Sequence, residues 1–148
     1  MQNNIKIYNM QKEDVLSLKE NILEFDDFWT EKMLEDEYNN DISYGFVTKD
    51  DMNNIVGFAF LWEPPYEIHI SNIVVKKDMR NNKIGSRLLE KLIEIARQKK
   101  KDEITLEVNI NNIYAIKLYE KYNFEKVGIR KKYYNNIDDA LIMTKKLI

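Results

Sequence analysis

One stretch constrains the fold more than any other. Ile84, Leu88, Leu89, Leu92, Ile93 and Ala96 recur at helical spacing and draw one apolar stripe along a helix. Residues 66–75, an apolar β-rich run, precede it across the polar segment 76–83. Residues 103–108 follow it as another strand. A strand, a basic polar loop and a strong helix in that order form the part of the chain with chemical content.

The rest of the pattern is shorter-ranged. Residues 5–8 alternate as a first strand, and Val15, Leu18, Ile22 and Phe25 predict a helix over about 12–24. Thr30 can cap a second helix reaching residue 38. Strands over 44–48 and 55–62 flank the turn cluster 50–54, and Pro64-Pro65 closes the second because neither can donate to a ladder. Asn111 or Asn112 can cap a helix through 122, which Asn123-Phe124 breaks. Residues 125–130 and 139–146 read as the last strands. The order β-α-α-β-β-β-α-β-α-β-β predicts an α/β protein with one mixed sheet and helices on both faces. With 2 Pro and 4 Gly in 148 residues no linker is visible, so residues 1–148 read as one domain.

Composition removes several chemistries. There is no Cys, hence no thiolate metal site and no cysteine nucleophile. A single His excludes a multi-histidine metal centre, and no metal site is expected. No apolar run approaches about 20 residues, and the polar start lacks an apolar signal core, so a cytoplasmic protein without a membrane partner is expected. The net charge of −2 conceals an asymmetry: residues 1–75 carry −10 and residues 76–148 carry +8. An anionic ligand would prefer the second half and a cationic one the first.

Four places could carry chemistry. The loop Arg80, Asn81, Asn82, Lys83, Ile84, Gly85 and Ser86 leads into the strong helix, where free backbone N–H groups and the helix dipole suit a phosphate. No GxGxxG and no Walker-type loop is present. Glu107 stands in an apolar strand, either facing solvent or employed. Tyr119 lies at helical spacing, either as core or as a functional hydroxyl. Basic Arg130, Lys131 and Lys132 before Tyr133 and Tyr134 could stack on nucleic acid, but the slightly acidic chain argues against such a partner. His69 reads as a packed strand residue rather than a catalyst.

Taken together, these pieces resemble the GNAT superfamily of acetyl-CoA-dependent N-acetyltransferases. The resemblance runs from about Asp26 to Leu147 through Phe28-Trp29-Thr30-Glu31, Asn72-Ile73-Val74-Val75, the 80–85 loop, Leu106-Glu107-Val108, Asn112-x-x-Ala115-x-x-Leu118-Tyr119-Glu120 and Phe124. The ending Arg130-x-x-Tyr133-Tyr134 with Asp139-Ala140-Leu141-x-Met143 is similar to the members that acetylate protein N-termini, those acting on a ribosomal-protein alanine among them. The resemblance implies the GNAT fold, a mostly antiparallel sheet between helices, as a single acetyltransferase domain. It implies acetyl-CoA as cosubstrate, its pyrophosphate cradled by the 80–86 backbone. Ile73, Val74 and Val75 would pair with the pantetheine arm, Asn112 would touch the coenzyme, and Tyr119 would sit at its sulfur. Glu107 would be the general base, and Phe28, Trp29, Glu67, Tyr133 and Tyr134 would line the acceptor side. The acceptor would be a protein N-terminus, foremost that of a basic ribosomal protein.

Two departures stand out. Lys83 occupies a place the family usually gives to Gly; a helical backbone there would simply add an ammonium near phosphate, and that is the expectation. Phe28 and Asn109 replace a common Pro and Arg on the acceptor side. Without Cys the amine must attack the thioester directly. Glu107 would act through a water, Tyr119 would protonate the leaving thiolate, and a backbone N–H of Val74–Val75 would stabilise the oxyanion. A small-molecule amine enzyme is the main alternative, and an inactive acyl-CoA-binding module a further one.

Overall fold

A computed structural model describes residues 6–27, 29–134 and 137–148, with Tyr134 described by its backbone alone. In chain order the elements are β1 (Lys6–Asn9), α1 (Lys12–Glu20), α2 (Glu31–Asn39), β2 (Ser43–Lys49), β3 (Ile55–Trp62), β4 (Glu67–Val75), α3 (Ile84–Gln98), β5 (Glu103–Asn109), α4 (Ile113–Lys121), β6 (Glu125–Tyr134) and β7 (Asp138–Lys146). The order matches the one read from the sequence. Ile5, in the expected first strand, lies outside the described residues.

The seven strands form one sheet in the order β1-β2-β3-β4-β5-β7-β6. Only β4 and β5 run parallel, because α3 carries the chain across between them; the other neighbours are antiparallel. Strand alternation then sorts the apolar residues into two layers. Val47, Phe58, Phe60 and Val74 pack against Val15, Leu18 and Leu34 of α1 and α2. Ala59, Leu61, Ile68, Ile70, Leu106 and Val108 pack against Leu88, Leu89 and Leu92 of α3 and Ile116 of α4. The helices therefore cover both faces, as the sequence predicts.

Local chemistry explains the boundaries. Thr30 Oγ1 accepts from Met33 N at 3.1 Å and starts α2. The α-helix predicted to residue 24 stops at Glu20; Asn21 leaves the helical region and donates from Nδ2 to Ser17 O, and a 3₁₀ turn spans Ile22–Glu24. Ile22 and Phe25 stay buried, so the apolar period outlasts the helix. β6 runs past residue 130 to Tyr134, since β7 gives it a partner as far as Asp138.

Two helix ends share one device. Lys100 and Asn123 take left-handed conformations just beyond α3 and α4. Lys101 N donates to Ala96 O and Phe124 N to Tyr119 O, the six-to-one bond of a Schellman cap. Lys145, buried at the edge of the core, donates from Nζ to Tyr122 O at 2.9 Å and covers a further carbonyl at the end of α4.

Candidate active site

The sheet comes apart at one seam. β4 and β5 pair from Glu67–Glu103 to Ile70–Leu106 and no further, although β4 continues to Val75 and β5 to Asn109. A bulge lies at the same point: Phe60 faces Asn72 while Leu61 faces Ile70, so Ser71 is the extra residue. The bulge reverses the side-chain alternation. Before it Ile68 and Ile70 face α3; after it Ile73 and Val75 do, and Val74 faces α1 and α2. Lys76 N donates to Val56 O on the β3 side. Alternation therefore turns the main-chain groups of Ile73 and Val75, not those of Val74, toward the open seam.

Beside the seam stands the N-terminus of α3. Lys83 precedes the helix at φ 63° and ψ 19°, a left-handed conformation. The expectation of a helical Lys83 is overturned: the turn into α3 needs the conformation that Gly adopts without penalty, and Lys adopts it here at a steric cost. Asn81 is left-handed as well. Lys83 supplies no side-chain cap, and the first helical bond is Arg87 N to Lys83 O. The N–H groups of Ile84, Gly85 and Ser86 are thus left without acceptors in the helix itself. A Cβ placed on Gly85 would meet Leu118 and Val75 side chains at an ordinary 3.7 Å, so internal packing does not demand Gly. An open approach to three donor groups fits a pyrophosphate. Arg80 is spent on the framework: its guanidinium donates to Phe25 O at 2.9 Å and Val75 O at 3.3 Å, tying the loop to β4. Asn82 Nδ2 donates to Met79 O and Arg80 O and tightens the same loop.

On this same face α4 presents Tyr119, 8% exposed, with its ring 5.7 Å from that of Phe124. Burial pushes its phenol up to about 12, so it stays protonated at neutral pH. Asn112 Oδ1 caps α4 by accepting from Ala115 N at 3.1 Å.

The opposite face carries a different set. Glu107 projects there, since its neighbours Leu106 and Val108 face α3. Its side chain is 12% exposed, and Arg130 Nε lies 2.8 Å from Oε2. The contact is an ion pair without hydrogen-bond alignment, for this buried oxygen has no hydrogen-bond donor. Arg130 also stacks over the Tyr133 ring at 4.8 Å, so one guanidinium joins Glu107 to the hairpin of β6 and β7. Asn72 Oδ1 is likewise buried without a donor. Trp29 packs edge-on to Phe58 and parallel to Phe60, forming an aromatic wall before α2. Phe28 lies outside the described residues, and Tyr134 is placed only through its pairing with Asp138. Glu67 opens β4 on this face, at the paired end of the seam rather than at its open end.

Sequence reasoning missed two residues here. Arg130 entered as part of a basic cluster, yet it pairs with Glu107, and Lys131 pairs with Asp139 at 3.6 Å. His69 stands opposite Thr105 across the β4–β5 pair, on the Glu107 face, with its ring stacked on Trp62 at 5.0 Å. Neither link is visible without the strand register. Among the described residues no group of three or more His, Asp or Glu side chains could hold a metal ion, and no helix is long and apolar enough to cross a membrane.

A parted sheet with donors at a helix start on one face and a carboxylate on the other is the frame of an acyl-coenzyme A transferase. The chain belongs to the acetyltransferase (GNAT) family, whose sequence model matches residues 11–124. It is an N-acetyltransferase that uses acetyl-CoA. It is similar to a Bacillus subtilis protein provisionally named as a ribosomal protein bS18-alanine N-acetyltransferase, with 31% identity across 97% of this chain and 96% of that protein. Its fold is similar to the crystal structure of the Escherichia coli ribosomal-protein-S18-alanine N-acetyltransferase, at TM-score 0.86 and 26% identity, covering 97% and 94% of the two chains. A GNAT acetyltransferase from Elizabethkingia anophelis, solved with acetyl-CoA bound, shares the fold at TM-score 0.77 and 22% identity, covering 98% and 99%.

Proposed function

We propose that this chain, as one domain over residues 1–148, acetylates the α-amine of a protein N-terminus, with the N-terminal alanine of a basic ribosomal small-subunit protein as its acceptor. Such an acceptor would place the work in the cytoplasm. The observation that carries the reading is the division of the seam: Glu107 lies on the α1–α2 face and Tyr119 on the α3–α4 face. An acceptor and a coenzyme would thus meet through the gap from opposite sides. The full-length similarity to the Bacillus protein supports the acceptor class.

The roles follow from position. Ile84, Gly85 and Ser86 hold the pyrophosphate through their N–H groups, and Arg80, Asn81, Asn82 and Lys83 shape the loop that presents them. Ile73 and Val75 offer main-chain groups to the pantetheine arm, with Val74 anchoring the strand from the other face. The N–H of Ile73 or Val75 also takes over the oxyanion role expected of the Val74–Val75 backbone. Bound acetyl-CoA supplies an activated acetyl thioester. Tyr119 gives a proton to the sulfur as it leaves, and Asn112 fixes the start of the helix that carries Tyr119. Glu107 draws the ammonium and serves its deprotonation, and Trp29, Glu67, Tyr133 and Tyr134, with Phe28, line the acceptor side. An α-amine, with a pKa of about 7.7–8.0, needs far less help than a lysine at about 10.4.

Thiol release from acetyl-CoA tests this with three acceptors: a peptide copying the ribosomal N-terminus, the same peptide with a blocked N-terminus, and spermidine. Turnover of the unblocked peptide alone, lowered in Tyr119→Phe and Glu107→Gln, is the expected result. Turnover of spermidine alone would move the enzyme to small amines.

A further inference from the structure

Glu107 and Arg130 form an unequal pair. The Glu107 side chain is 12% exposed and the Arg130 side chain 55%. Their 2.8 Å contact lacks a hydrogen bond to the buried Oε2, so charge rather than alignment holds it. Among the described residues it is the one ion pair that Glu107 makes. The guanidinium has a second seat in reach, since it already lies over the Tyr133 ring at 4.8 Å. The hairpin of β6 and β7 does not depend on this pair. Lys132 N donates to Asp139 Oδ1 at 2.8 Å and ties β6 to β7. Asn109 Nδ2 donates to Asp138 Oδ2 at 3.0 Å and ties β5 to β7. Strand pairing covers the same stretch, with Arg130 opposite Ala140 and Asn109 opposite the same residue from the other side. A structural strut would be covered and aligned at both ends. Here the anion is covered and fixed, and the cation is exposed and replaceable.

We propose that Arg130 is a resident counter-ion of Glu107, and that the ammonium of the acceptor displaces it on binding. The inference rests on the acetyl-transfer reading given above and names what sets acceptor affinity at that same site. A carboxylate mostly removed from water is costly without a positive partner, whichever group supplies it. In the free enzyme Arg130 supplies it. An arriving ammonium is more compact than a guanidinium and carries three rotatable donors, so it can aim an N–H at the oxygen that Arg130 leaves without one. No covalent bond changes in the exchange. One cation leaves the carboxylate as another arrives, and the released guanidinium stays over Tyr133 with its charge in solvent. Lys131 does not take over the vacated place, because Asp139 pairs with it at 3.6 Å. Arg130 thus subtracts from the binding of every acceptor and makes positive charge the condition of entry. A neutral group in the same place would leave Glu107 without its counter-ion.

Two variants test the exchange. Arg130→Gln removes the competing charge and keeps a polar side chain. At about pH 8 carboxylates are ionised and roughly half of an α-amine is ammonium. Under those conditions KM for the amine should fall about two- to fivefold, the range of a largely exposed ion pair. KM for acetyl-CoA should stay unchanged. An amine KM that is unchanged or raised would overturn the proposal. Arg130→Ala leaves a gap that ethylguanidinium can fill. Added ethylguanidinium should inhibit this variant competitively against the amine, because it restores the resident cation. Restored activity instead would make Arg130 a strut that the site needs, and no effect would mean that Glu107 needs no counter-ion; either result rejects the exchange. Both variants are read on whichever of the three acceptors turns over. An error in the acceptor class then shows in the panel and leaves the Arg130 result readable.

Discussion

Tyr119 is a core side chain that the proposed mechanism also uses. Its ring fills the layer under α3 and α4, and its hydroxyl stays protonated because burial raises it to about 12. The unfolded chain's tyrosine titrates near 10. The stability tied to this shift is therefore fully present below pH 10 and is lost as pH rises from there toward 12. Between pH 9 and 11, Tyr119→Phe should gain about 1 kcal/mol on the wild type in urea unfolding. An unchanged gap would mean that the phenol ionises freely. The sequence offered Tyr119 as either core or functional, and the fold makes the alternatives compatible. Glu107 was equally ambiguous there, and only the packing of Leu106 and Val108 against α3 decides where its carboxylate points.

Elements read well from the sequence where their cause is local and badly where it is not. The α3 stripe, the Thr30 cap and the Asn112 cap were legible because each is a pattern within a few residues. The Ser71 bulge was not, since it arises between strands, and the seam depends on it. Left-handed turns were hidden for another reason: no glycine of this chain has a positive φ among the described residues, and Asn or Lys fills every such position. A composition rich in Asn and Lys disguises turns that Gly would have announced. Lys100 is the plain case, a left-handed residue in the Schellman cap of α3, far from the seam. Lys100→Gly removes a steric penalty of about 1–2 kcal/mol against some added chain entropy. The melting temperature should rise by about 2–4 °C with activity unchanged, as scanning calorimetry would report. A lower melting temperature would show that the lysine contributes contacts of its own.

At the scale of the molecule the proposed function gives the charge halves different work: the basic half would serve the coenzyme, and the acidic half would share the acceptor side with Glu107 and Tyr133 of the basic half. The basic half supplies the donors at the start of α3, and the acidic half supplies α1, α2 and the strands beneath them. Ion pairs also join the halves: Lys76 with Glu24, Lys77 with Asp27, and Lys99 and Lys101 with Glu63. Part of the negative charge is thus consumed internally, a fact no net-charge count reveals. Glu31 and Glu35 on the outer face of α2 are exposed. Neutralising both to Gln should raise KM for a basic peptide several-fold at low salt, leave KM for acetyl-CoA alone, and lose its effect at high ionic strength. Equal shifts in both constants would separate this charge from acceptor binding.

The parting of β4 from β5 has a further consequence, in the order of events. Main-chain groups of Ile73 and the N–H of Val75 face an edge the chain does not complete, the Val75 carbonyl being taken by Arg80. Whatever lies along that edge acts as a guest strand, and the fold is whole only while it is there. Amide exchange at those two positions should be fast in the free enzyme and slow in the loaded one. Loading would then come first, building the floor on which the acceptor later settles.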